Sequence, residues 1–235
     1  MQDMVFRLGG EGGEGVLSTG QLLTLALARA GYEIYTYQTY PAEIKGGHAN
    51  FQVRAAGQVL LSQGDHPDVL LAFNEEAFQK HVKDLRNDSV VVYDSDVFQP
   101  NGGFTGTRYG IPMTSIAIEQ IGLKLSKNMV ALGAMAGLFG APLPAIEEVV
   151  RGKFSHKGET ILQKNLEAVR AGFEYARQQV PKRDPYRLEA VTRQRPELVL
   201  SGNESLALGA MYAGLRLYAG YPITPATDIM EFLAE

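Results

Sequence analysis

The sequence predicts an α/β protein: a three-layer domain with a mostly parallel sheet over residues 1–180, a linker at 181–197, and the beginning of a second α/β domain at 198–235. Three observations predict it. Short apolar runs with strand composition alternate with segments of helical period. A glycine-rich turn joins the first strand to the first helix. Pro181 to Pro196 carries three prolines amid alternating charges and no apolar periodicity, which is linker composition.

Met4 to Leu8 reads as a short strand running straight into Gly9-Gly10-Glu11-Gly12-Gly13-Glu14-Gly15. Ser18 to Ala30 follows as a helix with Leu22, Leu23, Leu25, Ala26 and Leu27 on its apolar face and Gly31 as its stop. Tyr32 to Tyr37 is a second strand, so the opening is a β–loop–α–β unit with its two strands parallel. Asn50–Arg54 and Gln58–Ser62 alternate around Ala55-Ala56-Gly57, the pattern of a hairpin. Val69–Phe73 and Val90–Tyr93 are compact apolar runs, as buried strands are. Helices are expected at Asn74–Leu85, Ser115–Ile121, Lys127–Phe139, Ala145–Arg151 and Glu159–Gln179, the third with a small-residue face of Gly133, Ala134, Ala136 and Gly137. After the linker, Leu198–Leu200 reads as a strand and Glu204–Leu217 as a helix. A further element begins after Gly-Tyr-Pro-Ile-Thr-Pro, so this second domain reads as incomplete.

A chain of 235 residues holds one substantial domain and part of another. Its 45% hydrophobic and 20% charged residues are ordinary for a globular protein. A net charge of −4 gives no general attraction to nucleic acid or anionic membrane. No cysteine is present, which removes disulfides, thiol nucleophiles and cysteine-ligated iron–sulfur clusters from this chain. No basic-then-apolar signal opens the sequence, and a cytoplasmic location is the default expectation. Asn128–Ile146 is uncharged, but Pro142 and Pro144 cut it below the roughly 20 residues of a membrane span. It reads as a buried helix.

Gly10, Gly12 and Gly15 satisfy the G-x-G-x-x-G spacing between a strand and a helix, where backbone N–H groups and a helix N-terminus can hold phosphate. The dinucleotide form of this fingerprint wants an acid at the end of the second strand, and Tyr35-Thr-Tyr37-Gln38 has none. Glu11 and Glu14 also put negative charge in the loop. A nicotinamide dinucleotide, another phosphate-bearing cofactor, a subunit contact and a bare glycine turn all stay open. A second loop, Tyr40 to Asn50, follows the second strand and belongs at the same C-terminal edge. Lys45 there supplies a positive charge, or is a solvated turn residue.

The strand with Gly-Gly-Glu-Gly-Gly-Glu-Gly-Val16, then Pro41-Ala-Glu-Ile-Lys-Gly-Gly-His-Ala-Asn50, then Pro67-Asp-Val-Leu-Leu-Ala-Phe-Asn-Glu75 resembles the gamma domain of 2-oxoacid:ferredoxin oxidoreductases. Lys127–Ala134 and Asn165–Gly172 are similar to that domain's later helices, so the resemblance covers nearly all of residues 4–180. The family's second loop usually has Arg in place of Lys45 and Thr in place of His48. The charge is kept, but a bidentate phosphate contact is not. The resemblance implies a domain that covers the acyl-transfer site and helps bind coenzyme A, with Gly12, Gly13, Glu14, Gly15, Lys45 and Gly46 as its binding residues.

Gly220-Tyr-Pro-Ile-Thr-Pro225 resembles the start of the same family's alpha domain, where this loop lies beside thiamine diphosphate and the 2-oxoacid. The resemblance implies substrate contacts at Tyr221, Pro222, Ile223 and Thr224, with Thr224 as the catalytic candidate. Thr224 also suits an N-cap and Pro225 a first helical position, a purely structural alternative. Gamma and alpha segments fused in this order look like the larger subunit of two-subunit enzymes acting on 2-oxoglutarate or related 2-oxoacids. That resemblance implies oxidative decarboxylation of a 2-oxoacid, such as pyruvate, to an acyl-coenzyme A, with electrons passing to ferredoxin. Thiamine diphosphate with Mg2+ and an iron–sulfur cluster are implied to lie mainly on a beta subunit. The competing readings are an NAD(P)-binding Rossmann-type dehydrogenase domain and a non-catalytic assembly module. His48, His66, His81 and His156 lack metal spacing and read as surface or loop residues. Asp94-Ser-Asp96 reads as a cation site or a turn cap, and no nucleophile–base pair is visible.

Overall fold

The computed structural model describes residues 3–39, 47–192, 198–223 and 225–235. They fall into two compact units, Met1–Arg193 and Gln194–Glu235. The first is built on six strands: β1 (Asp3–Glu11), β2 (Glu33–Thr39), β3 (His48–Ala56), β4 (Val69–Ala72), β5 (Val90–Asp94) and β6 (Thr107–Ile111). Their order across the sheet is β2-β3-β1-β4-β5-β6. β1, β4, β5 and β6 are parallel neighbours, whereas β3 runs antiparallel between β1 and β2. The expected mostly parallel sheet is therefore present, and β2 keeps the direction of β1.

β1 and β2 are parallel as expected but not adjacent, because β3 lies between them with Ala56 opposite both Asp3 and Glu33. One local expectation needs correction. The hairpin across Gly57 does not form: β3 is already paired on both edges, so residues 58–62 have no strand to join. Backbone carbonyls beyond them are used differently, with Gln52 Nε2 donating to the Gln63 and Gly64 oxygens and Arg54 to that of Ser62. β6 lacks a continuous apolar run and was not anticipated. Its Gly110 lies where a Cβ would come within 2.8 Å of the Tyr93 hydroxyl.

The helices are α1 (Val16–Arg29), α2 (Glu75–His81), α3 (Met113–Ser115), α4 (Lys127–Phe139), α5 (Leu143–Phe154) and α6 (Glu159–Gln179). α2 begins where the Asn74 side chain accepts from Ala77 N, and Glu75 and Glu76 complement its dipole. A π-helical turn, Ile116–Gln120, continues α3. Alternation sends Phe6, Leu8, Leu71 and Val92 to one face of the sheet, against α1, α4 and α6. Leu70, Ala72, Val91 and Tyr93 go to the other, against Ala77 and Phe78 of α2 with Phe98 and Phe104. Both faces are covered, which is why the parallel strands read as unbroken apolar runs.

α4 and α6 approach closely through glycine. A Cβ on Gly133 would stand 1.9 Å from the Val169 carbonyl oxygen, and one on Gly172 would stand 2.0 Å from that of Val130. The small-residue face expected on α4 is real.

The stretch read as linker is, up to Arg193, part of the first unit. It runs along the N-terminal side of the strands as a belt. Tyr109 Oη, on β6, donates to Asp184 and accepts from Arg183 N, and Tyr186 is 2% exposed beside Arg86. Leu188 N donates to Phe139 O, and Tyr32 Oη, just before β2, donates to Glu189 O. Prolines and charges suit such an extended segment as well as a free linker. The two anchors, Tyr186 and Leu188, are too sparse to register as a period.

The second unit holds α7 (Gly202–Tyr212), started by a capping box of Ser201 and Glu204, and α8 (Thr227–Ala234). Residues 198–200 form no strand, since two short helices offer no partner strand. Among its described residues only Ala207 is buried. No helix among the described residues is long and apolar enough to cross a membrane.

Candidate functional site

The site is the C-terminal edge of β1. The strand continues through Gly9, Gly10 and Glu11, with Glu11 still opposite His48 of β3. The chain then turns, with Glu14 N donating to Glu11 O, and enters α1 at Gly15. Gly13 and Gly15 have φ of 103° and 85°, values that a side chain disfavours. Gly15 also lies under Asn128, whose Nδ2 would be 2.5 Å from an added Cβ.

Gly12 N donates to Gly47 O at 2.8 Å, so the first loop is tied to the end of the second. The N–H groups of Gly13, Gly15, Val16, Leu17 and Ser18 have no acceptor among the described residues. Neither a capping side chain nor a first-turn acid occupies the start of α1. Five open donors on the positive end of a helix dipole form a concavity suited to an anion.

Glu14 is turned away from those donors. Its carboxylate accepts from Glu11 N at 2.8 Å, Asn74 Nδ2 at 2.6 Å and Lys127 Nζ at 3.0 Å. The negative charge that spoke against phosphate is thus paired inside the fold, while Glu11 stays exposed. Lys127 Nζ lies 3.8 Å from Asp94 and 5.4 Å from the centre of the Phe73 ring. Asp94 is fully buried and accepts from Thr114 Oγ1, Met113 N and Asp96 N. It caps the α3 turn, so the Asp94-Ser-Asp96 motif takes its structural reading.

Beneath the loop lies a histidine pair. His81 is 7% exposed in the last turn of α2, and its Nε2 is 2.8 Å from Nε2 of His48. This corrects the expectation of surface or loop residues for His48 and His81, whereas His66 and His156 are exposed as expected. The Arg7 guanidinium, 3.5 Å from His81 Nδ1, can only donate. With Arg7 donating, His81 carries its proton on Nε2 and gives it to His48, which leaves the His48 proton on Nδ1, buried and without a partner among the described residues. Burial, then Arg7 and His48, pull the His81 pKa from 6.5 down to about 4, and burial and Lys80 lower that of His48. The unfolded chain thus binds the His81 proton below pH 6.5 while the folded chain does not until about 4. Stability is expected to fall by about 3 kcal/mol as pH drops through this window. Urea titrations from pH 7.5 to 4 check it, and His81→Gln must flatten the slope.

Of the residues expected from sequence, Gly12, Gly13, Glu14 and Gly15 come together here. Lys45 and Gly46 lie outside the described residues. In the second unit Tyr221, Pro222 and Ile223 are exposed, and Thr224 lies outside the described residues. α8 begins at Thr227 with Ala226 as its N-cap, so Pro225 is not a first helical position and the cap expected at Thr224 lies elsewhere. Asn203 Nδ2, on α7, donates to Pro225 O at 2.7 Å. The nicotinamide reading loses support, since the strand beside β1 is the antiparallel β3 rather than β2. Lys127, Asn74 and His81 were missed as site residues. Asn74 and Lys127 read only as helix starts, but His81 follows Ala77 and Phe78 on the apolar face of α2, a signal of burial.

Over its full length the chain is 40% identical to a solved 2-oxoglutarate:ferredoxin oxidoreductase from Magnetococcus marinus with 2-oxoglutarate, coenzyme A and succinyl-CoA bound. The TM-score is 0.92, and 41% of that chain is covered. It is 32% identical, again over its whole length, to the 2-oxoglutarate oxidoreductase subunit KorA of Mycobacterium tuberculosis, of which it covers 41%. A keto/oxoacid ferredoxin oxidoreductase gamma subunit from Geobacter sulfurreducens matches 75% of this chain and 97% of its own, at 28% identity and a TM-score of 0.62. The chain thus spans about two fifths of the longer relatives. The model of the pyruvate ferredoxin/flavodoxin oxidoreductase family matches residues 5–175, which hold the glycine loop, the histidine pair and Lys127, and the chain belongs to that family.

Proposed function

We propose that this chain supplies the coenzyme A-side domain, and the opening of the thiamine-side domain, of an enzyme that oxidatively decarboxylates a 2-oxoacid to an acyl-coenzyme A and passes the electrons to ferredoxin. The observation that carries the reading is the set of open N–H groups on Gly13 and on Gly15 to Ser18, tied to the second loop through Gly12 and Gly47. An enzyme 40% identical to this chain holds coenzyme A, which favours a phosphate of that coenzyme as the anion. Lys45 would add a cation and Gly46 a close backbone approach. Tyr221, Pro222, Ile223 and Thr224 would face the 2-oxoacid.

This chain has no cysteine to ligate an iron–sulfur cluster. Thiamine diphosphate, which supplies the carbanion chemistry of decarboxylation when bound, and the cluster are assigned to a beta subunit. This chain's own groups bind and orient the coenzyme and the substrate carboxylate.

The assembled enzyme is expected to reduce a low-potential dye only with both a 2-oxoacid and coenzyme A present, and this chain alone to reduce none. In that assembly Lys45→Ala should raise the KM for coenzyme A severalfold with little change in kcat. Turnover by the isolated chain would end the proposed division of labour, and an unchanged KM would leave Lys45 a solvated turn residue.

A further inference from the structure

A carboxylate beside a helix N-terminus is drawn to the positive end of the dipole and competes there with any incoming anion. Glu14 stands there, directly before the α1 N-cap Gly15, yet its carboxylate is taken by Glu11 N, Asn74 and Lys127 and by no α1 amide. What turns it inward comes from 113 residues away: the ammonium of Lys127, the first residue of α4. A lysine side chain normally carries its charge out to water. Here it is 17% exposed, held by Glu14 at 3.0 Å, by Asp94 at 3.8 Å and over the ring of Phe73. Asp94 already receives Thr114 Oγ1 and the amides of Met113 and Asp96, so Glu14 is the carboxylate that Lys127 hydrogen-bonds. Asn74 fixes the other Glu14 oxygen, which also receives Glu11 N and closes the turn.

We propose that Lys127 is a positioning residue for the phosphorylated coenzyme: by holding Glu14 inward it keeps the amides of Gly13, Gly15, Val16, Leu17 and Ser18 open and cancels the Glu14 charge, leaving Glu11 as the loop's exposed carboxylate. The proposal rests on the assignment of the glycine loop as the coenzyme A site. Without the ammonium, Glu14 either stays as an unpaired, half-buried charge next to the phosphate or swings out and caps α1, and both compete with coenzyme A. Lys127 acts through Glu14, so its loss is repaired by removing the Glu14 charge as well.

In the assembled enzyme Lys127→Met is expected to raise the KM for coenzyme A about tenfold or more, with kcat falling far less. Lys127→Arg should restore most of the loss. The double variant Glu14→Gln/Lys127→Met should return to within about threefold of the wild-type KM, although each change removes one partner of the same pair. A double variant no better than Lys127→Met, or a lowered melting temperature with an unchanged KM, overturns the proposal. Should Lys127→Met fail to assemble, the double variant decides alone, since the proposal requires it to assemble and bind coenzyme A. Hydrogen exchange of the Gly13–Ser18 amides in the wild-type assembly, with and without saturating coenzyme A, separates the two claims. No protection there removes the site and the role of Lys127 together, whereas protection with an indifferent Lys127→Met removes the role alone.

Discussion

Gly172→Ala is expected to lower the stability of this chain by about 3 kcal/mol or more, a shift of roughly 10 °C in Tm. The added methyl meets a carbonyl oxygen of the facing helix at 2.0 Å, and that atom belongs to the Val130 backbone, which no rotamer change can move. Relief requires α4 and α6 to separate by more than an ångström, opening the contact among Val130, Ala134, Val169 and Phe173 that lies between them. Gly133→Ala acts from the other side of the seam, where the Val169 oxygen is 1.9 Å away. Gly152→Ala is the control: in α5, with open space around the new methyl, it should stabilise by up to about 1 kcal/mol through helix propensity. Thermal melts of the three variants check the set, and a Gly172→Ala chain melting like wild type would show that the helices are not seated as closely as described.

Thr224→Val should lower kcat/KM for the 2-oxoacid about 10- to 150-fold in the assembled enzyme, equivalent to roughly 1.5–3 kcal/mol for a lost hydrogen bond to a charged group. Valine keeps the shape and removes only the hydroxyl. α8 takes Ala226 as its N-cap, so a threonine without substrate contact has no capping role there, and Thr224→Val would then leave both stability and turnover near wild type. Kinetics and melts on the same preparation decide between them.

The fold was legible where its cause is local. α4 and α6 were placed to the residue at both ends, because apolar period and terminal signals at Gly140 and Gly158 agree there. The glycine loop was legible because its spacing is a backbone requirement. The position of β3 was not, since which strands pair depends on contacts far apart in sequence, and its alternation suits a hairpin equally well. The inward turn of Glu14 was hidden for the same reason: its partners Asn74 and Lys127 are 60 and 113 residues away. Composition misled at the belt, where charge and proline mask two buried anchors.

That belt decides where the first unit can be cut. A shortened gene ending at residue 180, where composition changes, would strip Tyr186 and Leu188 from the core and leave the Tyr32 and Tyr109 hydroxyls without Glu189 O and Asp184. Such a fragment would expose the apolar surface that Tyr186 and Leu188 cover and is expected to aggregate. An expression boundary at or just beyond residue 192 keeps every one of those contacts. Twelve inconspicuous residues, 181–192, therefore decide whether the first unit keeps its core when expressed alone.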